Sequence, residues 1–362
     1  MSGRVTVVGT GSWGTTLAII LARHGLEVTL WARTEEEARD LITRRANEAF
    51  LPGVQFPDNL IISHSLPVAL EACDLLLLVV PAQRMRENVL RVRGYLQEGT
   101  IVVSAAKGLE IETTLRMTEV LKEELPPRFH SRLAVLSGPN LAREIIAGLP
   151  ATTVVASEND EAACFVQSLI TTPQFRVYTH SDVIGVELAG ALKNIIALGA
   201  GISDGLGYGD NAKAAFMTRG LAEIARLGVA AGANLLTFAG LAGIGDLVTT
   251  CASPHSRNHY VGEQLAQGRS LAEIQASMRM VAEGVPTTIA ALQLARRYTI
   301  EMPITEQMYQ VLFEGKDPRR AVIDLMTRGV KGELDGLEPG VRALLEWMTD
   351  SLPRKPAGRG KE

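Results

Sequence analysis

The sequence predicts an α/β domain followed by an all-α domain, and three observations support this. Strand-like and helix-like segments alternate from residue 4 to about residue 180, and strand signals fade beyond Asp182. A glycine-rich turn also stands directly between the first strand-like run and the first helix-like run. With 362 residues, 46% of them hydrophobic, the chain is long enough to fill two cores.

The first strand begins at Arg4 and runs straight into Gly9, Gly11 and Gly14, and a helix is expected over 15–24. In that setting G-x-G-x-x-G is a dinucleotide fingerprint. Gly9 makes the tight turn, Gly11 leaves room for a pyrophosphate, and Gly14 lets helix and strand pack closely. The N–H groups and positive end of the helix then meet the phosphates. Plain turn glycines in an α/β protein rank second, given the strand and helix on either side.

A second strand, 27–31, ends at Ala32-Arg33. The acid that selects NAD is expected about there, ~20 residues past the fingerprint. None stands at that tip; Glu35, Glu36 and Glu37 read as the acidic first turn of a helix over 35–47. Arg33 can stack on adenine or pair with a 2′-phosphate, so NADP is expected over NAD. The competing reading of Arg33 is an exposed arginine with no ligand.

Further strands are expected at 60–63, 75–80, 100–105, 133–137, 151–156 and 175–178, in a parallel or mixed sheet covered by helices. Helical windows follow at 182–203, 210–232, 283–298 and 302–313. The expected domains are 1–181 and 182–350, with 351–362 a polar, proline- and glycine-bearing tail expected to be disordered.

A net charge of −4 offers no broad attraction to nucleic acid. Cys73, Cys164 and Cys251 are widely spaced with no C-x-x-C pair, so neither a disulfide framework nor a metal site is expected. No secretory pattern precedes the first strand, which makes the cytoplasm the expected location. The nonpolar tract 183–202 is interrupted by Glu187, Lys193 and Asn194 and reads as a buried helix, with no stable membrane insertion.

Lys193 stands in that apolar helix with Ala189, Gly190 and Ala197 near its face. Burial lowers an ammonium pKa and suits proton exchange near neutrality. The bland alternative is an amine that reaches solvent or pairs with Glu187. Other polar clusters raise the functional reading. Lys107-Gly108 follows the strand 100–105, and Gly138-Pro139-Asn140 follows 133–137, both at the carboxyl end where open α/β sheets bind ligands. Taken alone, each is an ordinary turn. Asp246, in a glycine-rich stretch, and Ser256-Arg257-Asn258 mark a ligand loop, with Arg257 offering a fork to a phosphate or carboxylate. The plain account is a solvated loop with an N-cap at Ser256.

These residues resemble the bacterial NAD(P)-dependent glycerol-3-phosphate dehydrogenases, roughly over residues 4–330. The resemblance rests on Gly9-Thr10-Gly11-Ser12-Trp13-Gly14-Thr15, Lys107-Gly108-Leu109-Glu110 and Ser137-Gly138-Pro139-Asn140-Leu141-Ala142-Arg143-Glu144. It continues through GALKNIIA at 190–197, DGLGYGDNAKAA at 204–215, Gly245-Asp246-Leu247, Ser256-Arg257-Asn258 and Val281-Ala282-Glu283-Gly284-Val285. The long central run is the most specific.

The resemblance implies a Rossmann-type domain joined to an all-α domain like that of 6-phosphogluconate dehydrogenase. It also implies reversible reduction of dihydroxyacetone phosphate to sn-glycerol 3-phosphate for phospholipid synthesis, in a homodimer. Position by position it makes Lys193 the catalytic acid or base and places Lys107 beside both substrate and nicotinamide. Gly138, Asp246, Ser256, Arg257 and Asn258 match substrate positions, and Asn140 joins them where the family commonly has Ser. Ser12, Trp13, Arg33, Ala142, Arg257, Val281 and Glu283 match cofactor positions, beside the three fingerprint glycines and Lys107. Thr10 stands where Ala is common, and Thr34 where a second basic residue is frequent. The competing readings are another two-domain dehydrogenase of the hydroxyacid type, ketopantoate or 6-phosphogluconate reductase-like, and a non-catalytic NADPH sensor.

Overall fold

The computed structural model describes residues 3–329 and Gly332. The expected tail at 351–362 and the end of the second domain, to residue 350, lie outside the described residues.

Eight strands form one mixed sheet in the order β3-β2-β1-β4-β5-β6-β7-β8. They are β1 (Arg4–Val8), β2 (Glu27–Trp31), β3 (Leu60–Ser63), β4 (Leu75–Leu78), β5 (Ile101–Ser104), β6 (Leu133–Ser137), β7 (Ala151–Ala156) and β8 (Phe175–His180). The first six run parallel, β7 runs antiparallel to β6, and β8 follows β7. The β6–β7 connection holds only a five-residue helix, Ala142–Ile146, and the chain reverses beside β6 instead of crossing over. Apolar side chains from both sheet faces enter separate cores, because strands covered on both sides are hydrophobic throughout.

Pairing of Val8 with Trp31 on one side and Leu78 on the other brings the carboxyl ends of β1, β2 and β4 to one rim. The order reverses at β1, which is where open α/β sheets leave a crevice for a ligand.

Several boundaries differ from the sequence reading. The first helix is Ser12–Arg23 and starts inside the fingerprint, three residues before the expected Thr15. The next, Glu35–Arg44, stops short of residue 47 because Arg45 adopts a left-handed φ of 49° and turns its guanidinium onto the carbonyls of Pro57 and Leu60. β4 ends two residues before Val80, where the chain turns into a short helix at Ala82–Arg84.

The helical part begins with Val183–Gly205, capped by Asp182, whose Oδ1 accepts from Gly185 N at 2.8 Å. The other Asp182 oxygen accepts from Asn234 N at 2.8 Å and Thr237 Oγ1 at 2.6 Å. Helices Gly209–Ala230, Arg257–Ala266, Gly284–Tyr298 and Pro303–Phe313 complete the core around it. By length and hydropathy Val183–Gly205 could cross a membrane, but 94% of that window is buried by its own protein. It is the core helix. Arg257–Ala266 lies so close that a Cβ on Gly262 would sit 1.9 Å from Leu198 O. That contact brings the Ser256-Arg257-Asn258 corner against the core helix, near Lys193.

Candidate active site

The helix Ser12–Arg23 has Gly11 as N-cap and no side-chain capping bond, so its first-turn N–H groups stay open to an anion. The three glycines divide the work as the fingerprint requires. Gly9 has φ 122°, and a Cβ there would lie 2.3 Å from Val79 O; one on Gly14 would lie 1.9 Å from Gly9 O. A Cβ on Gly11 meets nothing within 4 Å. The protein packs tightly at the two outer glycines and leaves space at the middle one. That cradle fits the pyrophosphate of a dinucleotide.

Ser12 Oγ donates to Phe50 O at 2.7 Å and lies 3.2 Å from Met280 Sδ, so the turn touches the helical part of the chain. The Trp13 ring meets Phe175 edge-on at 6.0 Å between centroids and packs against the sheet core. Its backbone remains at the open helix end. Ala142 starts the short helix that packs on Ser12–Arg23.

Arg33 is exposed at the β2 tip. The tip is not free of acid, however. Glu37 reaches back from the first turn of Glu35–Arg44, and its Oε2 accepts the Arg33 N–H at 3.0 Å while Oε1 accepts the Thr10 hydroxyl. Side-chain length carries the carboxylate to a place where the linear order shows only Ala32 and Arg33.

The second centre is ionic. Lys107, just past β5, and Lys193, on the core helix, converge on Asp246, the first residue of Asp246–Ala252. Asp246 Oδ2 is 2.7 Å from Lys107 Nζ, and Oδ1 is 2.7 Å from Lys193 Nζ. Lys107 also donates to Gly138 O at 2.8 Å, and Lys193 to Thr250 Oγ1. Thr250 in turn donates to Asp246 O at 2.6 Å. Lys193 and Asp246 are 4% and 2% exposed, so neither is a solvated surface charge.

Burial lowers the Lys193 pKa from 10.5 to about 8; Asp246 opposes that shift and the Lys107 charge adds to it. The alternative pairing of Lys193 with Glu187 is not formed. Glu187 instead accepts from Thr118 N at 2.8 Å and pairs with Arg116 at 2.5 Å.

A chain of amides holds the pocket wall. Gly284 N donates to Asn258 Oδ1 at 2.9 Å, Asn258 Nδ2 to Asn194 Oδ1 at 2.8 Å, and Asn194 Nδ2 to Lys107 O at 3.2 Å. Asn258 was singled out from sequence, whereas Asn194 and Thr250 were not. Their signals were adjacency to Lys193 and an i,i+4 spacing from Asp246, both weak until the contacts are seen.

Ser256 caps Arg257–Ala266 by accepting from His259 N at 3.2 Å. Arg257 donates to Val281 O at 2.6 Å. Glu283 Oε1 accepts from Ala82 N at 3.0 Å across the two parts of the chain, while its Oε2 is buried without a partner. Burial raises the Glu283 carboxyl above its usual range. Asn140 follows Gly138, whose carbonyl accepts from Lys107. The Asn140 Nδ2 donates to Thr152 O at 3.2 Å and its Oδ1 accepts from Thr153 Oγ1 at 2.9 Å, so the side chain ties its loop to β7.

Residues 4–163 match the family described as NAD-dependent glycerol-3-phosphate dehydrogenase N-terminus, and 182–323 match its C-terminus. The chain is 52% identical over 330 residues to glycerol-3-phosphate dehydrogenase [NAD(P)+] of Chlorobium limicola, covering 91% of this chain and 99% of that one. It is 53% identical over 332 residues to the enzyme of the same name from Desulfitobacterium hafniense, covering 92% and 93%. Among solved structures, glycerol-3-phosphate dehydrogenase from Coxiella burnetii superposes with a TM-score of 0.86 at 38% identity, over 90% of this chain and 99% of that one. A ketopantoate reductase family protein from Ralstonia eutropha shares the fold alone, with a TM-score of 0.56 at 16% identity over 89% of this chain and all of that one. Matched in both halves, and more than half identical to full-length relatives, the chain belongs to the NAD-dependent glycerol-3-phosphate dehydrogenase family.

Proposed function

We propose that this chain reversibly reduces dihydroxyacetone phosphate to sn-glycerol 3-phosphate, with Lys193 as the proton donor. The observation that carries this reading is the Lys107–Asp246–Lys193 bridge, with Asp246 and Lys193 buried and Lys107 half-buried. NADH or NADPH, when bound, would supply the hydride for the carbonyl carbon. Negative charge then grows on the carbonyl oxygen, and Lys193 gives that oxygen its proton. An amine with a pKa of about 8 can hold a proton near neutrality and release it readily.

Asp246 orients both amines, and Lys107 brings a second positive charge to the developing oxyanion. Removing one such donor costs about 2.7–4 kcal/mol of transition-state stabilisation in other enzymes. Arg257 holds the phosphate of the substrate, with Ser256 and Asn258 beside it, so that binding energy remote from the carbonyl fixes its orientation. On the cofactor side, the open N-terminus at Ser12 and Trp13 would hold the pyrophosphate, and Val281 and Glu283 are the further residues that would hold the dinucleotide.

Following NADPH absorbance with dihydroxyacetone phosphate, and then with dihydroxyacetone, tests the reading. Strong preference for the phosphate ester is expected, and R257A should raise its KM more than it lowers kcat. Equal rates with both ketones would remove the anion site. Family resemblance supports a homodimer, checked by sedimentation equilibrium. Three free cysteines, Cys73 and Cys251 buried and Cys164 exposed, suit a reducing cytoplasm.

A further inference from the structure

The acid at the β2 tip is a feature of the fold that the linear pattern conceals. Glu37 is the third residue of its helix, and its N–H is capped by Thr34 Oγ1 at 3.2 Å. A first-turn glutamate ordinarily faces water, where it favours the helix dipole. This one bends back, and each carboxylate oxygen takes a separate donor: the Arg33 N–H at the end of β2 and the Thr10 hydroxyl. Thr10 lies between Gly9 and Gly11, so the anion is moored to the turn that receives the pyrophosphate. Pairing of Val8 with Trp31 makes the ends of β1 and β2 neighbours, and in dinucleotide folds the ribose nearest the adenine lies at that point. The Arg33 side chain is exposed and makes no hydrogen bond or ion pair among the described residues.

We propose that Glu37 is the coenzyme-selecting residue of this chain and that it favours NADH. Its carboxylate accepts the ribose 2′-hydroxyl of NADH and repels the 2′-phosphate of NADPH. Arg33 attracts that phosphate and is the opposing charge. The inference rests on the dinucleotide site described above. It reverses the preference expected from Arg33 alone, because that expectation assumed a tip without an acid. The threonine at position 10 becomes part of the device, since alanine there could not hold the carboxylate.

Calorimetric titration of NADH and NADPH into the free protein, alongside kcat/KM for each with dihydroxyacetone phosphate, tests the proposal. The wild-type chain should bind NADH more tightly. E37Q keeps the size and an acceptor oxygen but removes the charge. It should raise the NADPH-to-NADH affinity ratio about tenfold or more, the scale of one charge contact near the protein surface. If E37Q folds poorly by thermal melting, T10A, which frees the carboxylate, should move the ratio the same way by less.

Tighter NADPH binding by the wild type, or a ratio unmoved by E37Q and T10A, overturns the proposal. Equal weakening of both coenzymes makes Glu37 a brace of the turn and overturns it too. Selective binding without ketone reduction upholds it while refuting the proposed reaction, and binding of neither coenzyme defeats both.

Discussion

The glycine turn is built within six residues, Gly9 to Gly14, whereas the lysine pocket joins Lys107 to Asp246 across 139 positions. The turn works through backbone: two glycines permit close packing, a third leaves a void, and a helix end stays uncapped. The pocket works through charge, held where β5, the core helix and Asp246–Ala252 meet. A local backbone device can fail by one added methyl group. A charge device fails by losing one ion, even with every backbone atom in place.

Replacement of Lys193 by alanine probes that contrast most strongly. Turnover should fall about 10²- to 10⁴-fold, the usual share of a positioned acid, while calorimetry finds coenzyme affinity intact. Near-normal turnover would remove Lys193 from the chemistry.

A methyl group on the turn should act the other way, and differently at two neighbouring glycines. In G14A the new Cβ meets Gly9 O, which overpacking makes destabilising by about 1–3 kcal/mol in urea unfolding, with coenzyme binding weakened as well. In G11A the Cβ meets no protein atom, so the unfolding midpoint should hold while coenzyme Kd rises. Equal stability of the two variants would contradict the division of labour among the glycines.

The smallest effect is a matter of pH. With Lys193 as the proposed proton donor, kcat for ketone reduction should decline above about pH 8, approaching tenfold per unit, and the reverse oxidation should rise over the same range. Because folding lowers this pKa from 10.5, the native state binds fewer protons between about 8 and 10.5. This group therefore costs stability below about pH 8, and the cost is relieved as pH climbs toward 10.5. A profile for reduction that is flat from pH 7 to 9.5 would argue against the lysine as proton donor.

Much of this was readable from residue order alone. The alternating segments, the glycine roles and the single lysine in an apolar helix depend on spacing and solvation, which a linear pattern exposes. Asn258 and Asp246 were legible as polar residues near a glycine-rich loop, but their partners were not. Asn140 was likewise legible as an amide after a strand, but its bonds to Thr152 and Thr153 of β7 were not.

Glu37 marks the boundary between the two kinds of knowledge. Three consecutive glutamates are equivalent as first-turn acids, and nothing in their order says that one folds back onto Thr10. Residue order was enough for the strands, the main helical windows and the glycine turn, since those arise from interactions among near neighbours. The pairing of Asp246 with two lysines, the loss of Glu187 to Arg116 and the acid beside the fingerprint came from the packed chain. Electrostatic partners are chosen by distance in space, and burial sets how strongly each choice is felt.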